Sequence, residues 1–169
     1  SLRYEAMWRA DGHSTRFGVS STLSLRGVGN DQQEFEDKRF LARSNFMHFN
    51  ASLAHTRELP RGFSVEGRVE GQLADSPLIS NEQFAAGGAD SVRGYRESQA
   101  LGDDGVAGTL ELQTPSLVRE GWKWPDHLIG LAFVDGAALR VREALPGQQD
   151  SFVLASAGVG LRFTAWSHW

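Results

Sequence analysis

Cysteine is absent from this 169-residue chain, which excludes disulfide scaffolds and cysteine-ligated metal sites. Long hydrophobic runs are missing too. No stretch approaches the roughly 20 apolar residues that a membrane-crossing helix needs, and mean hydropathy is −0.35, so a helical membrane protein is excluded. Basic charge is scarce relative to acidic, with a net charge of −4 at pH 7. Nucleic-acid binders draw most of their affinity from a basic surface, so no nucleic-acid partner is expected. Ser1-Leu2-Arg3-Tyr4 already reads as structure, so these residues are not expected to be a signal peptide. Glycine is in excess: 19 residues, about 11% against roughly 7% in average usage.

What the sequence does hold is alternation with period 2, the mark of strands with two different faces. In 16–26, Phe17, Val19, Leu23 and Leu25 alternate with Arg16, Gly18, Ser20, Thr22, Ser24 and Arg26. In 63–73, Phe63, Val65, Val69 and Leu73 alternate with Ser64, Glu66, Arg68, Glu70 and Gln72. Near the end, Val153, Ala155, Ala157, Val159, Leu161 and Phe163 alternate with Ser156, Gly158, Gly160, Arg162 and Thr164. Further strands are expected at 2–9, 39–55 and 106–114, and at 127–135, which is apolar on both faces until Asp135. That makes about seven strands. Several exceed the average of about 5–6 residues and fit the roughly 9–11 of tilted membrane strands.

The connections also alternate. Those at 10–14, 57–62 and 116–126 read as short, and those at 27–38, 74–105 and 138–150 as long. Outer-membrane barrels pair short periplasmic turns with long extracellular loops. Trp8, Trp122, Trp124, Trp166 and Trp169 cluster near the short-turn ends, as an interfacial aromatic belt would place them. Bacterial barrels have even strand numbers from 8 upward, and an open sheet leaves unsatisfied backbone groups in a bilayer. Residues 1–169 are therefore expected to be a fragment of a larger antiparallel transmembrane β-barrel.

The long connection at 74–105 carries the most information. Loops beyond about 12–15 residues are usually functional or disordered, and this one interleaves Phe84, Val92 and Tyr95 with Gly87, Gly88 and Gly94. It reads as an ordered loop that folds back into the barrel, where Arg93 between Val92 and Gly94 needs a carboxylate partner if it leaves water. Glu66, Glu70, Glu111 and Asp135 are the inward-facing candidates.

These residues resemble a known family. Phe84, Gly87-Gly88 and Ser91-Val92-Arg93-Gly94-Tyr95 are followed by Gly102-Asp103-Asp104-Gly105 and Leu110-Glu111-Leu112. Together they are similar to the outer-membrane transporters of two-partner secretion, the TpsB or ShlB/FhaC/HecB group. That group lies within the superfamily of outer-membrane assembly factors with periplasmic POTRA domains. The resemblance implies the C-terminal part of a 16-stranded barrel, with the POTRA domains, earlier strands and last two strands lying outside the chain. It implies a loop tipped by Val92, Arg93, Gly94 and Tyr95 in the barrel lumen. Arg93 would pair there with Asp135 in a Phe-x-Asp-x-Gly motif, supported by Gly87, Gly88, Glu111 and Phe133. The motif departs from the family at Ala137, where Gly is expected, while Gly stands at 136.

The implied function is export of a partner exoprotein of the hemolysin or adhesin type through the outer membrane of a Gram-negative bacterium. The partners would be the exoprotein and membrane lipid, with no nucleotide, no cofactor and no enzymatic activity. Assembly of other barrels into the membrane is a sister possibility. A soluble β-sandwich binding module is the alternative of another class, and predicts short strands over a common core. No metal site is expected, since His13, His48, His55, His127 and His168 form no spaced ligand pair. A Gly-x-Ser-x-Gly elbow is absent, and Gly87-Gly88 lacks the Gly-Lys-Ser/Thr ending of a phosphate loop.

Overall fold

The computed structural model describes residues 1–24, 45–118 and 127–164. The strands, in chain order, are β1 (Leu2–Ala10), β2 (His13–Ser24), β3 (Phe46–Glu58), β4 (Ser64–Ala74), β5 (Phe84–Ala86), β6 (Ala100–Gly102), β7 (Asp104–Gln113), β8 (His127–Arg140) and β9 (Ser151–Thr164). Seven of them, 9 to 14 residues long, form one antiparallel sheet in the order β1-β2-β3-β4-β7-β8-β9. The three-residue strands β5 and β6 pair only with each other.

One unbroken register crosses the sheet. Glu5, Gly18, Ser52, Glu70, Ala107, Ala137 and Leu154 are successive cross-strand partners and so lie on one face. The next row, Tyr4, Val19, Ala51, Gly71, Val106, Ala138 and Val153, lies on the other. A slip by one residue would exchange the faces. The second face is apolar and open: Leu73, Leu110, Val153, Val159 and Leu161 are all strongly exposed, Val159 at 84%. A soluble sandwich would bury such a face against a second sheet, so the described residues do not support that alternative.

The structure revises two details of the sequence reading. Strand β8 does not end at Asp135 but continues to Arg140. Ala137 and Leu139, on the polar face, are buried beneath the β5–β6 hairpin, which hides the alternation there. The connections that are described throughout fall on alternate edges, 11–12 and 59–63 short on one and 75–103 and 141–150 long on the other. The long connection at 74–105 is also not a plain loop, since it contains β5 and β6. Trp8 lies on the apolar face two residues before the β1–β2 turn. Trp122, Trp124, Trp166, Trp169, His168, the connection at 27–38 and the strand expectation for 39–44 lie outside the described residues.

Candidate functional site

The chain between β4 and β7 folds back over the polar face of β7, β8 and β9. Its root is held by packing. Ala86 and Ala100 of the hairpin join Ala107, Ala137, Leu139 and Leu154 of the sheet in one buried cluster, with Phe84 and Phe152 against it. Ala137, the departure from the expected glycine, is thus a core residue under the hairpin.

A second fastening is polar. The Asp103 side chain is fully buried, and its Oδ1 accepts from the Leu78 N–H at 2.8 Å and the Gln83 amide at 3.2 Å. Its Oδ2 accepts from the Arg142 N–H at 2.7 Å. Asp104 binds the Arg142 guanidinium at 2.9 Å and accepts from the Ala74 N–H at 2.9 Å. The Gly-Asp-Asp-Gly segment therefore clasps the ends of β4, β7 and β8 to the folded-back chain. Farther along, His48 of β3 is buried, with Nε2 3.2 Å from Glu82 Oε2. The Asn50 amide lies 3.0 Å from Nδ1. An amide N–H directed at Nδ1 leaves the ring proton on Nε2 to bond Glu82.

Beyond the hairpin the chain turns sharply. Gly87 and Gly88 have φ of +110° and +106°, a region that side chains strongly disfavour. The turn is closed by Ser98 N–H donating to the Gly87 carbonyl at 3.3 Å and by the Ser91 hydroxyl accepting from Gly87 N–H at 2.9 Å. It drops Val92, 0% exposed, into the same apolar cluster. Val92 thereby fixes the height at which Arg93 meets the sheet.

Arg93 reaches two carboxylates. Its Nε and Nη2 donate to Oδ2 and Oδ1 of Asp135 at 2.8 Å each, a bidentate fork, and its backbone N–H donates to Oδ2 at 3.0 Å. Its Nη1 donates to Glu111 Oε2. The guanidinium carbon lies 3.5 Å from the centre of the Phe133 ring. The Asp135 side chain is 0% exposed, Glu111 8% and Arg93 19%. Hydrogen bonding to Asp135, reinforced by Glu111, raises the Arg93 pKa above its ordinary value, so the cation persists at any working pH. Removing one member of a buried pair typically costs about 3–5 kcal/mol, because the other charge is stranded.

Cross-strand geometry prepares this seat. Glu111, Phe133 and Gly158 are partners across β7, β8 and β9. A Cβ at Gly158 would stand 2.7 Å from the Phe133 ring, so glycine there gives the ring room to lie beneath Arg93. Gly94, at φ +88° with open space around it, turns the chain away. Tyr95 then donates through its hydroxyl to the Ala155 carbonyl at 3.3 Å.

Of the four candidate carboxylates, the fold brings Glu111 and Asp135 to Arg93. Glu66 lies beside Arg68 instead, at 3.5 Å, and no contact of Glu70 with Arg93 is seen among the described residues. The sequence reading missed Arg162, whose Nη2 donates to Glu111 Oε1 at 3.2 Å. It also missed the Ser156 hydroxyl, 3.4 Å from Asp135 Oδ2. Both sit at ordinary polar positions of an alternating strand, where nothing local distinguishes them. Asp103 stood in a motif that had been noted, but its clasp depends on donors from three separate segments.

Comparison with known proteins bears on this arrangement. The family model described as haemolysin secretion/activation protein ShlB/FhaC/HecB matches residues 2–163. The heme/hemopexin transporter protein HuxB of Haemophilus influenzae is 28% identical over 103 residues, 60% of this chain and 18% of that protein. The outer membrane transporter CdiB of Dickeya dadantii is 28% identical over 129 residues, 75% of this chain and 22% of that protein. The solved structure of CdiB from Escherichia coli superposes with a TM-score of 0.75 at 21% identity, covering 94% of this chain and 28% of that one. The chain thus spans about a fifth of the length of these curated relatives, and its fold is that of part of a larger barrel.

Proposed function

The chain belongs to the haemolysin secretion/activation protein ShlB/FhaC/HecB family, and from that premise we propose that it is part of an outer-membrane pore for two-partner secretion. Residues 1–169 form the C-terminal part of a 16-stranded barrel in a Gram-negative outer membrane. The barrel exports a partner exoprotein of the hemolysin or adhesin type. The apolar face of the sheet meets lipid, and the polar face lines the lumen. The protein acts as a conduit and carries out no bond-making chemistry.

One observation carries this reading: an ordered loop is fastened by Arg93 onto Glu111 and Asp135, on the face opposite the exposed apolar one. A loop held this way occupies the lumen at rest. It is held by a few strong, discrete contacts that can break together. The charged stripe of Glu66, Arg68 and Glu70 gives a hydrated wall along which an extended chain can slide without sticking.

The test uses the full-length protein in a Gram-negative host. It should fractionate with the outer membrane and change gel mobility on boiling, as a closed barrel does. Arg93→Ala should abolish export while the mobility shift is kept. Exchanging the charges, Arg93→Asp with Asp135→Arg, should recover part of the export. Wild-type export by Arg93→Ala would remove the role assigned to the loop.

A further inference from the structure

The seat of Arg93 recognises more than positive charge. Asp135 takes the guanidinium through two parallel bonds and also accepts the backbone N–H of the same residue. Phe133 supplies a flat surface beneath the guanidinium, and Glu111 binds its remaining edge. An ammonium has neither the planar fork nor a face to stack. A seat that binds a guanidinium together with its own backbone N–H is fitted to arginine within a peptide chain.

Export through the proposed pore requires the loop to vacate this seat, and the two carboxylates then fare differently. Glu111 keeps Arg162. Asp135, wholly out of water beneath the docked loop, keeps the Ser156 hydroxyl, with no second cation among its described contacts. While the loop still covers Asp135, parting it from Arg93 strands a buried carboxylate, so release is easiest when another cation takes the place of Arg93 as it leaves. A polar cleft of about 300 Å³ opens beside the seat, lined by Glu66, Arg68, Asp90, Thr109 and Arg162 among others. It gives a chain in the lumen a way in.

We infer that Glu111, Phe133 and Asp135 receive an arginine side chain of the exported polypeptide in place of Arg93. This rests on the pore reading above and assigns a substrate feature to the same site. The exported chain opens the pore by presenting what the loop presents: an arginine with small neighbours, so that its backbone N–H can approach Asp135. Such a segment, held at the pore by the rest of the exported chain, competes with the tethered loop at a comparable effective concentration.

The experiment uses purified full-length protein in planar lipid bilayers, with open probability as the readout. The probes are three ten-residue Gly/Ser peptides with one central Val-X-Gly, where X is arginine, lysine or citrulline. Citrulline keeps the shape and backbone N–H of arginine and lacks the charge. The arginine peptide should raise open probability at least tenfold over the citrulline peptide, with lysine between them. Asp135→Asn should remove that discrimination, whereas Glu5→Gln, on β1 at the far side of the sheet from the seat, should keep it. Equal responses to the arginine and citrulline peptides in the wild type overturn the inference, even where Arg93→Ala conducts. Absence of conductance in both the wild type and Arg93→Ala sinks the pore reading itself, and the inference with it.

Discussion

Glu111 and Asp135 share one guanidinium but would not lose equally by its departure. Glu111→Gln leaves Arg93 forked onto Asp135 and frees the half-exposed Arg162 to water, at an expected cost of about 1–3 kcal/mol to loop docking. Asp135→Asn removes the charge and turns one of the two acceptors of the fork into a donor facing the guanidinium at a fully buried position, at about 3–5 kcal/mol. Proteolysis of the loop in the native full-length protein measures the difference. Asp135→Asn should be cut ten times faster than Glu111→Gln or more, since about 1.4 kcal/mol is a factor of ten. Gly158→Ala tests the floor of the seat. The added methyl meets the Phe133 ring, so the loop should be cut several-fold faster, and the smaller side chain of Phe133→Leu in the same chain should recover part of the protection. The sequence made Arg93 and Asp135 legible because they stand in compact motifs. Arg162 was not legible, because its use depends on β9 lying two strands from β7.

The β5–β6 hairpin shows why an element can escape sequence reading. Each strand has three residues, too few for a period to appear, and its stability comes from the sheet beneath. The same burial made β8 apolar on both faces and hid its last five residues, 136–140. The long strands β2, β4 and β9 were readable because one face meets polar surroundings along most of their length. At this scale the decisive residue is Asp103, which three donors reach. Asp103→Ala strands those donors, each worth about 1–3 kcal/mol when buried without a partner. The variant should keep the mobility shift on boiling but convert at a lower temperature, and its loop should be cut faster. An unchanged conversion temperature and cutting rate would show that packing holds the hairpin without the clasp.

For the whole molecule, the unbroken register separates two solvents over seven strands. Val159→Arg, on the exposed apolar face in the middle of β9, should cost up to about 2–4 kcal/mol of barrel stability in lipid. Ser20→Arg, on the polar face of β2, should stay within about 0.5 kcal/mol. The fraction of the full-length protein recovered in the unboiled, fast-migrating form reads both. The order of the strands also fixes a chronology. Arg93, Val92, Tyr95 and the hairpin dock on Glu111, Asp135, Leu154 and Ala155, all of which come later in the chain. Bringing β7 to β4 across 75–103 costs only about 2 kcal/mol more in chain entropy than closing the β1–β2 turn. The sheet can therefore grow one neighbour at a time while the loop waits. Docking is complete only after β9 has paired with β8, so the segment in the middle of the sequence is the last to reach its place, and the passage stays unblocked until its own wall is built.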